Sequence, residues 1–533
     1  MEGLIVQTML YSFVLLVIHS LIRFTLKFWW RPKSLEKHLR RQGIRGSSYN
    51  PFHDDMKESV KSCKEAWSKP MSLNHQIAPY VSPFYHQMIQ NYGKVCLSWV
   101  RTTPRLIVAD PELMRLILTD KQGHIVIPPQ NPLVDLLTLG VSTLEGEKWA
   151  KRRRLITPAF HFDKLKGMVP EFSASCCDLI NRWNDRVSDE GSIELDVAPE
   201  FQILAADVIS RTAFGSSYEE GKEIFELQEE QVRLVLEAHL GTYFPGFRCY
   251  SHSFLSQLQQ MMCNELYLVF CNRFLPTKKN NRRYKIDRVV KATLRNMIYK
   301  KEHAMQNGDT SCDLLGLLLQ YKEQSDGGMT IEDVIEECKL FYFAGQETTA
   351  NLLTWTMILL SLNRNWQEKA REEVLNICGK KTPGIEDLHH LKIVSMILHE
   401  VLRLYPPVTT LLRYTHQETN IGGMSIPAGV QVLLPTLFIH HDHEYWGEDA
   451  EQFRPERFNE GVSKASKDNA FYPFGWGHRI CLGQNFAMIE AKMALAMILQ
   501  NFWFELSPLY AHAPGTVILL QPQHGAPIIL HPL

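Results

Sequence analysis

A mainly α-helical chain with a small β-rich part, carried behind an apolar helix at its amino end, is the fold class this sequence predicts. Three observations support it. Leu4 to Ile22 is apolar apart from Gln7, Thr8, Ser12, His19 and Ser20, about the length at which a helix crosses a hydrocarbon core. Thr330 and Asp333 have the spacing of a capping box, and the apolar-rich text behind them runs without proline to about Leu362, which predicts one long helix. Strand-like text comes only in short runs, such as Val95 to Trp99 and Arg105 to Val108.

The 533 residues show no internal repeat and no low-complexity linker, so they divide into an anchor over 1–22, a basic linker over 23–51 and one large domain over 52–533. With 57 basic against 58 acidic residues, nothing calls for nucleic acid or a strongly charged partner. The 11 cysteines, without a C-x-x-C pair, indicate neither a disulfide framework nor a zinc site and fit a reducing compartment. No N-x-S/T sequence occurs, in keeping with a domain that faces the cytosol.

The apolar run is longer than a signal-peptide core and no small-residue cleavage pattern follows it. Arg23, Lys27, Arg31, Lys33, Lys37, Arg40, Arg41 and Arg45 come next, with Trp29 and Trp30 at interface depth. A positive flank stays on the cytosolic side, which predicts an uncleaved single-pass anchor. The linker from Gly43 to Pro51 holds one proline, at its end, which is thin for a rigid hinge.

Tyr92 to Ile117 reads as a small sheet beside a helix that starts after Asp110-Pro111. Ile125 to Leu139, with two adjacent prolines and little charge, reads as a flexible apolar loop. In Gly146 to Arg154, Trp149 and Arg153 lie four apart and share a helix face, while Lys148, Lys151 and Arg152 point elsewhere. Alone, such a run is a solvated basic face. Residues 163–305 read as amphipathic helices. Within them, the aromatic loop Gly241 to Phe247 and the basic stretch Lys278 to Arg288 are as readily surface as membrane or gating elements.

The predicted long helix spans about 45 Å and carries Ala344-Gly345-Gln346-Glu347-Thr348-Thr349 at its middle. A glycine, a carboxylate and two β-branched hydroxyls suit a helix centre poorly, and such local inconsistency marks function more often than chance. Glu400 and Arg403, three apart, make a pair that is commonplace on a helix surface. Tyr405-Pro406-Pro407 ends that helix. Val408 to Arg413 then runs as an extended strand, with Val408, Thr410 and Leu411 toward a pocket.

The glycine-rich run Phe474-Gly475-Trp476-Gly477-His478-Arg479-Ile480-Cys481-Leu482-Gly483 presents one cysteine before the apolar segment Gln484 to Gln500. A lone cysteine is usually a small buried hydrophobe. At a helix start, however, the dipole favours a thiolate able to ligate a metal, and Gly477 and Gly483 let backbone approach a flat partner. Thr516 to Leu520 and Pro527 to Leu530 read as a terminal hairpin turning near Gln523 to Gly525.

Phe474, Gly477, Arg479, Cys481 and Gly483 at these spacings resemble the haem-binding signature of the cytochromes P450. The resemblance extends over the rest of the chain behind the anchor, and implies the P450 fold as a single haem domain after an N-terminal transmembrane helix. It makes Cys481 the axial thiolate of haem b and assigns Trp149, Arg153, Arg413 and Arg479 to the propionates. The remaining basic residues around Arg153 become a docking patch for an acidic electron donor. Ala344 and Gly345 make room for dioxygen, Thr348 steadies it once bound, and Glu347 relays protons. Glu400, Arg403 and, from Pro455-Glu456-Arg457-Phe458, Arg457 form a structural salt-bridge network. Ala344, Val408, Thr410 and Leu411 are the candidate substrate contacts.

Arg31 to Glu36 and Asp207 to Gly215 look like the plant clan that oxidises terpenoids and hormones. The activity implied is monooxygenation of a hydrophobic small molecule, a terpenoid, gibberellin-like acid or steroid, with dioxygen and with NADPH electrons through a P450 reductase at the endoplasmic reticulum membrane. A P450-fold isomerase or dehydratase would not need the Glu347-Thr348 pair. A haem-thiolate sensor would need no electron supply. A cysteine hydrolase lacks an acid to orient His478.

Overall fold

The computed structural model describes residues 2–129, 133–187, 191–240, 277–308, 313–323 and 329–533. Helix α1 (Glu2–Thr25) exposes its large apolar side chains from Ile5 to Phe24 and is long and apolar enough to cross a membrane. A π-helical turn over Leu26–Trp30 carries it directly into α2 (Arg31–Arg41).

The stretch 23–51, read from composition as a linker, is instead folded onto the domain. Pro32, Glu36 and Leu39 of α2 are buried, a stripe of i, i+4 and i+7 positions hidden among basic residues. Glu36 accepts the Tyr49 N–H at 3.2 Å. Gln42 both accepts from the Ser425 N–H at 2.6 Å and donates to the Ser425 carbonyl at 2.5 Å. Beyond it, β1 (Arg45–Gly46) pairs in parallel with β2 (Val95–Val100).

Strands β3 (Thr103–Val108), β4 (Ile125–Val126), β6 (Leu411–Thr415) and β7 (Gln431–Leu434) complete a sheet ordered β1-β2-β3-β7-β6-β4. Between them in the chain, β5 (Ile193–Asp196) belongs to a second sheet with β8 (Phe502–Leu506). The tail departs from the expected hairpin. Thr516 in β9 (Pro514–Thr516) pairs with Leu520 in β10 (Leu520–Pro522), whereas β11 (Pro527–Pro532) lies antiparallel between β8 and β5. Gly525, at φ +74°, hands the chain from one sheet to the other, and a Cβ there would lie 2.2 Å from an Asp196 carboxylate oxygen.

The helical layer contains α3 (Pro111–Leu118), capped by Asp110, then α4 (Gly146–Ile156), α5 (Phe162–Asn184) and α6 (Val197–Phe214). It continues with α7 (Tyr218–Leu240) and α8 (Lys278–Gln306). The loop expected over 125–139 contains β4 and a helical turn at Asp135–Thr138. The basic stretch Lys278 to Arg288 is drawn onto α7: Arg282 meets Glu230 at 2.5 Å, and Arg283 donates to the Leu234 carbonyl at 3.1 Å. The Gly241 to Phe247 loop lies outside the described residues.

Helix α9 (Ile331–Leu362) is the long element foreseen, started by the reciprocal Thr330–Asp333 capping box and buried along most of its length. Tyr342 stacks on Phe214 with ring centres 4.2 Å apart, and Trp355 on Tyr405 at 4.2 Å. Helices α10 (Lys392–Leu404) and α11 (Gln484–Asn501) finish the core, α11 buried on nearly every side.

Candidate active site

The loop before α11 is held in shape by contacts far away in sequence. Fully buried His440 accepts the Tyr472 N–H at 2.8 Å, and the Tyr472 hydroxyl donates to the Pro111 carbonyl at 3.0 Å. Burial keeps His440 neutral, well below the usual imidazole range. The Cys481 N–H closes the loop on the Phe474 carbonyl at 2.9 Å. Gly477 takes φ +73°, and a Cβ there would lie 2.2 Å from the Leu118 carbonyl oxygen. This glycine is therefore required by close packing on the end of α3 rather than by a flat partner. At Gly483 a Cβ would meet only a Phe160 ring carbon at 3.9 Å, so no protein atom demands glycine there.

Cys481 is exposed on this loop, one of the cysteines without a disulfide. It nevertheless sits deep among protein atoms, and this desolvation pushes the thiol up, against the Gly483 N–H and the charge of Arg153, which favour the thiolate. Leu482 and Gly483 separate Cys481 from Gln484, the first residue of α11, so the helix dipole, which falls off within a turn, acts on the sulfur more weakly than it would at the helix start itself.

Around the loop the chain gathers cations. Arg153 donates to the Ile480 carbonyl at 2.7 Å. Arg479 donates to the Leu144 carbonyl at 2.7 Å, pairs with Glu145 at 2.7 Å and lies 4.5 Å over the Trp149 ring. Trp149 meets His478 edge-on at 5.3 Å. Arg413, on β6, is pulled down to about 10 by burial and by the charge of Arg479, offset only by Glu145. Among the described residues, Glu145 is the carboxylate that meets these guanidiniums, pairing with Arg479 and offsetting Arg413, so positive charge is left in a desolvated place, which suits a flat group carrying two carboxylates beside the sulfur.

Arg152 does not belong to a docking patch. Its side chain is 11% exposed and reaches Glu337 at 2.8 Å and Asp333 at 2.9 Å. Lys148, Lys151 and Arg154 remain exposed on α4.

At the middle of α9, Ala344 is exposed and Thr348 partly so, whereas Thr349 and Ala350 are buried. The Thr348 hydroxyl donates to the Ala344 carbonyl at 2.8 Å. Gly345 faces the other way: a Cβ there would lie 2.7 Å from Ile209 Cγ1, so its smallness lets α6 approach α9. Glu347 also turns to α6, where Gln202 Nε2 donates to its carboxylate at 3.3 Å. Burial pushes the Glu347 carboxyl up and Gln202 offsets part of this. The other amide atom of Gln202, Oε1, is buried without a partner.

The pair Glu400–Arg403 is completely buried. Arg403 grips Glu400 through Nε and Nη2, both at 2.7 Å, and donates to the carbonyls of His440 at 2.9 Å and Ala450 at 2.5 Å. Arg457 approaches Glu400 at 3.5 Å and Asp449 at 2.8 Å. Through His440 this cluster connects to the cysteine loop. Val408, Thr410 and Leu411 keep some exposure around buried Thr409, and only Leu411 lies in the strand proper. Gln202 and His440 went unremarked in the sequence, because no local motif marks a residue whose partner lies on another element.

Known proteins resemble this chain over nearly its whole length. The sequence model described as Cytochrome P450 matches residues 74–524. Cytochrome P450 CYP72A616 of Paris polyphylla is 52% identical over 95% of this chain and 95% of its own length. The 7-deoxyloganic acid hydroxylase of Catharanthus roseus is 44% identical over 98% of both chains, and its secologanin synthase 1 is 46% identical over 94% of this chain and 93% of that one. With the family pattern running through nearly the whole chain and plant members this similar, the chain belongs to the cytochrome P450 family and is a plant-type P450 monooxygenase.

Proposed function

We propose that Cys481 would hold haem b through its sulfur and that the protein inserts one oxygen atom from dioxygen into a hydrophobic small molecule of terpenoid class. Electrons come from NADPH through a P450 reductase. The observation that carries this reading is the set of Arg153, Arg413 and Arg479, with Trp149, gathered around the loop that presents exposed Cys481 and offset, among the described residues, by the carboxylate of Glu145. Haem bound there supplies the activation of dioxygen at its iron.

The chain's own residues do the rest. Trp149, Arg153, Arg413 and Arg479 hold the propionates, Phe474 flanks the sulfur, and Gly477 and Gly483 keep the loop low. Ala344, Val408, Thr410 and Leu411 offer apolar surface that excludes water from the substrate. Glu347 carries protons from the α6 side toward the Thr348 hydroxyl. Two relatives, named 7-deoxyloganic acid hydroxylase and secologanin synthase 1, support the terpenoid class. Helix α1 anchors the chain once in the endoplasmic reticulum membrane with the domain in the cytosol, and exposed basic residues of α4 meet the reductase.

A carbon monoxide difference spectrum of the reduced protein tests the ligand, and spin-state titration with terpenoids tests the substrate. Absence of a thiolate-type band would end the reading. Thr348→Ala should lower product formed per NADPH by about a hundredfold, the scale of a positioned proton donor; an unchanged yield would remove the relay role. In Gln202→Leu the carboxylate loses the donor that favours its ionised form, so the pH inflection of coupling should move upward. An inflection that stays or falls would separate Gln202 from the relay.

A further inference from the structure

Two carboxylates fasten the turn at 140–145. Glu145 accepts the Ile127 N–H at 2.6 Å and pairs with Arg479. Glu337, fully buried on α9, accepts Arg152 on one oxygen at 2.8 Å and the Val141 N–H on the other at 3.1 Å. Gly140, at φ +141°, leaves room for that carboxylate: a Cβ would lie 2.9 Å from Glu337 Oε2. Its carbonyl accepts both the Thr143 and Leu144 N–H groups at 3.0 Å. Leu144 and Glu145 are in turn the two residues that grip Arg479, two positions from Cys481. On α4, Arg152 aims at α9 while its neighbour Arg153 aims at the Ile480 carbonyl, so the two arginines together set the rotation of that helix.

We propose that Glu337 is a positioning residue for the cofactor pocket: through Arg152 and the Gly140-Val141 backbone it fixes the 140–145 turn to α9 and so orients Arg479 and Trp149 beside Cys481. The proposal rests on the haem-thiolate reading above. A carboxylate is required because both partners donate. Glutamine would satisfy one of them and set its NH₂ against the other, leaving a buried donor unpaired.

The test uses the full chain loaded with haem and purified in detergent. Haem transfer to excess apomyoglobin and amide exchange of the 140–145 turn are compared in Glu337→Gln, Arg152→Lys and the control Lys339→Met. Lys339 is a buried residue of the same helix, ion-paired with Asp287 and Glu336. Glu337→Gln should raise both the haem-loss constant and the exchange of the turn about tenfold, as loss of an outer-shell partner does. Arg152→Lys should lie between it and the wild type, and Lys339→Met should raise neither, even with a similar drop in unfolding midpoint. Equal haem loss and exchange in Glu337→Gln and Lys339→Met at matched midpoints would overturn the proposal. If Glu337→Gln does not fold, Arg152→Lys decides by the same two readings. A wild-type protein without a thiolate band would refute the haem-thiolate reading, while exchange of the turn would still judge the fastening.

Discussion

Cys481→Ala should erase the thiolate signature of the reduced carbon monoxide complex while leaving helix content and unfolding midpoint close to those of the wild type. The second half of this expectation comes from the way the loop is held. Its shape depends on the backbone bond from Cys481 to Phe474, on the His440–Tyr472 contact and on the close seat of Gly477 against Leu118. None of these uses the sulfur. Difference spectroscopy and circular dichroism on one preparation separate the two effects. A thiolate band that survives would move the ligand to another cysteine, yet Cys176 and Cys338 are buried and burial pushes both thiols up.

The second large effect concerns Arg403. Replacing it with leucine removes both guanidinium bonds to Glu400, leaving that completely buried carboxylate with only the Arg454 N–H at 2.8 Å and the more distant Arg457 at 3.5 Å, and strips donors from the carbonyls of His440, Ala450 and Gln452. Breaking one side of a buried pair costs about 3–5 kcal/mol, a large share of the roughly 5–15 kcal/mol that folded proteins possess. Arg403→Leu should therefore accumulate as haem-free or insoluble protein, with a sharply lowered midpoint. Arg403→Lys keeps the charge but not the fork, so it should recover only part of the loss. An unchanged midpoint in Arg403→Leu would mean that the cluster contributes nothing to stability. Because His440 both accepts the Tyr472 N–H and lends its carbonyl to Arg403, the damage should reach the cysteine loop as well.

What could be read in the sequence is what short segments determine for themselves. The start of α9 lies in the four residues Thr330 to Asp333, the stop of α10 in Tyr405 and its prolines, and the cysteine loop in ten consecutive positions. Partnerships across the chain were not legible. Arg152 finds Glu337 across 185 positions, and Gln202 finds Glu347 across 145. A basic run looks the same whether one of its arginines faces solvent or a buried carboxylate. The strands at the tail failed for a related reason: β11 has antiparallel partners in β8, just before the β9–β10 pair, and in β5, far upstream, and nothing within Pro527 to Pro532 chooses them over the adjacent β10. Gly345 and Gly477 stood out in the sequence as room for dioxygen and for a flat partner, whereas the atoms that crowd them in the structure are those of Ile209 and Leu118.

The passage from α1 to α2 has a mechanical meaning for the proposed membrane anchor. A rod that runs through a π-turn into a helix, ties Tyr49 to the Phe28 carbonyl at 2.6 Å and contributes a strand to the main sheet acts as a lever rather than a leash. With α1 embedded in a membrane, any tilt of that helix would turn the sheet with it. The domain would then rest on the bilayer in one attitude, and a compound dissolved among the lipid tails would meet the same face of the protein on every encounter.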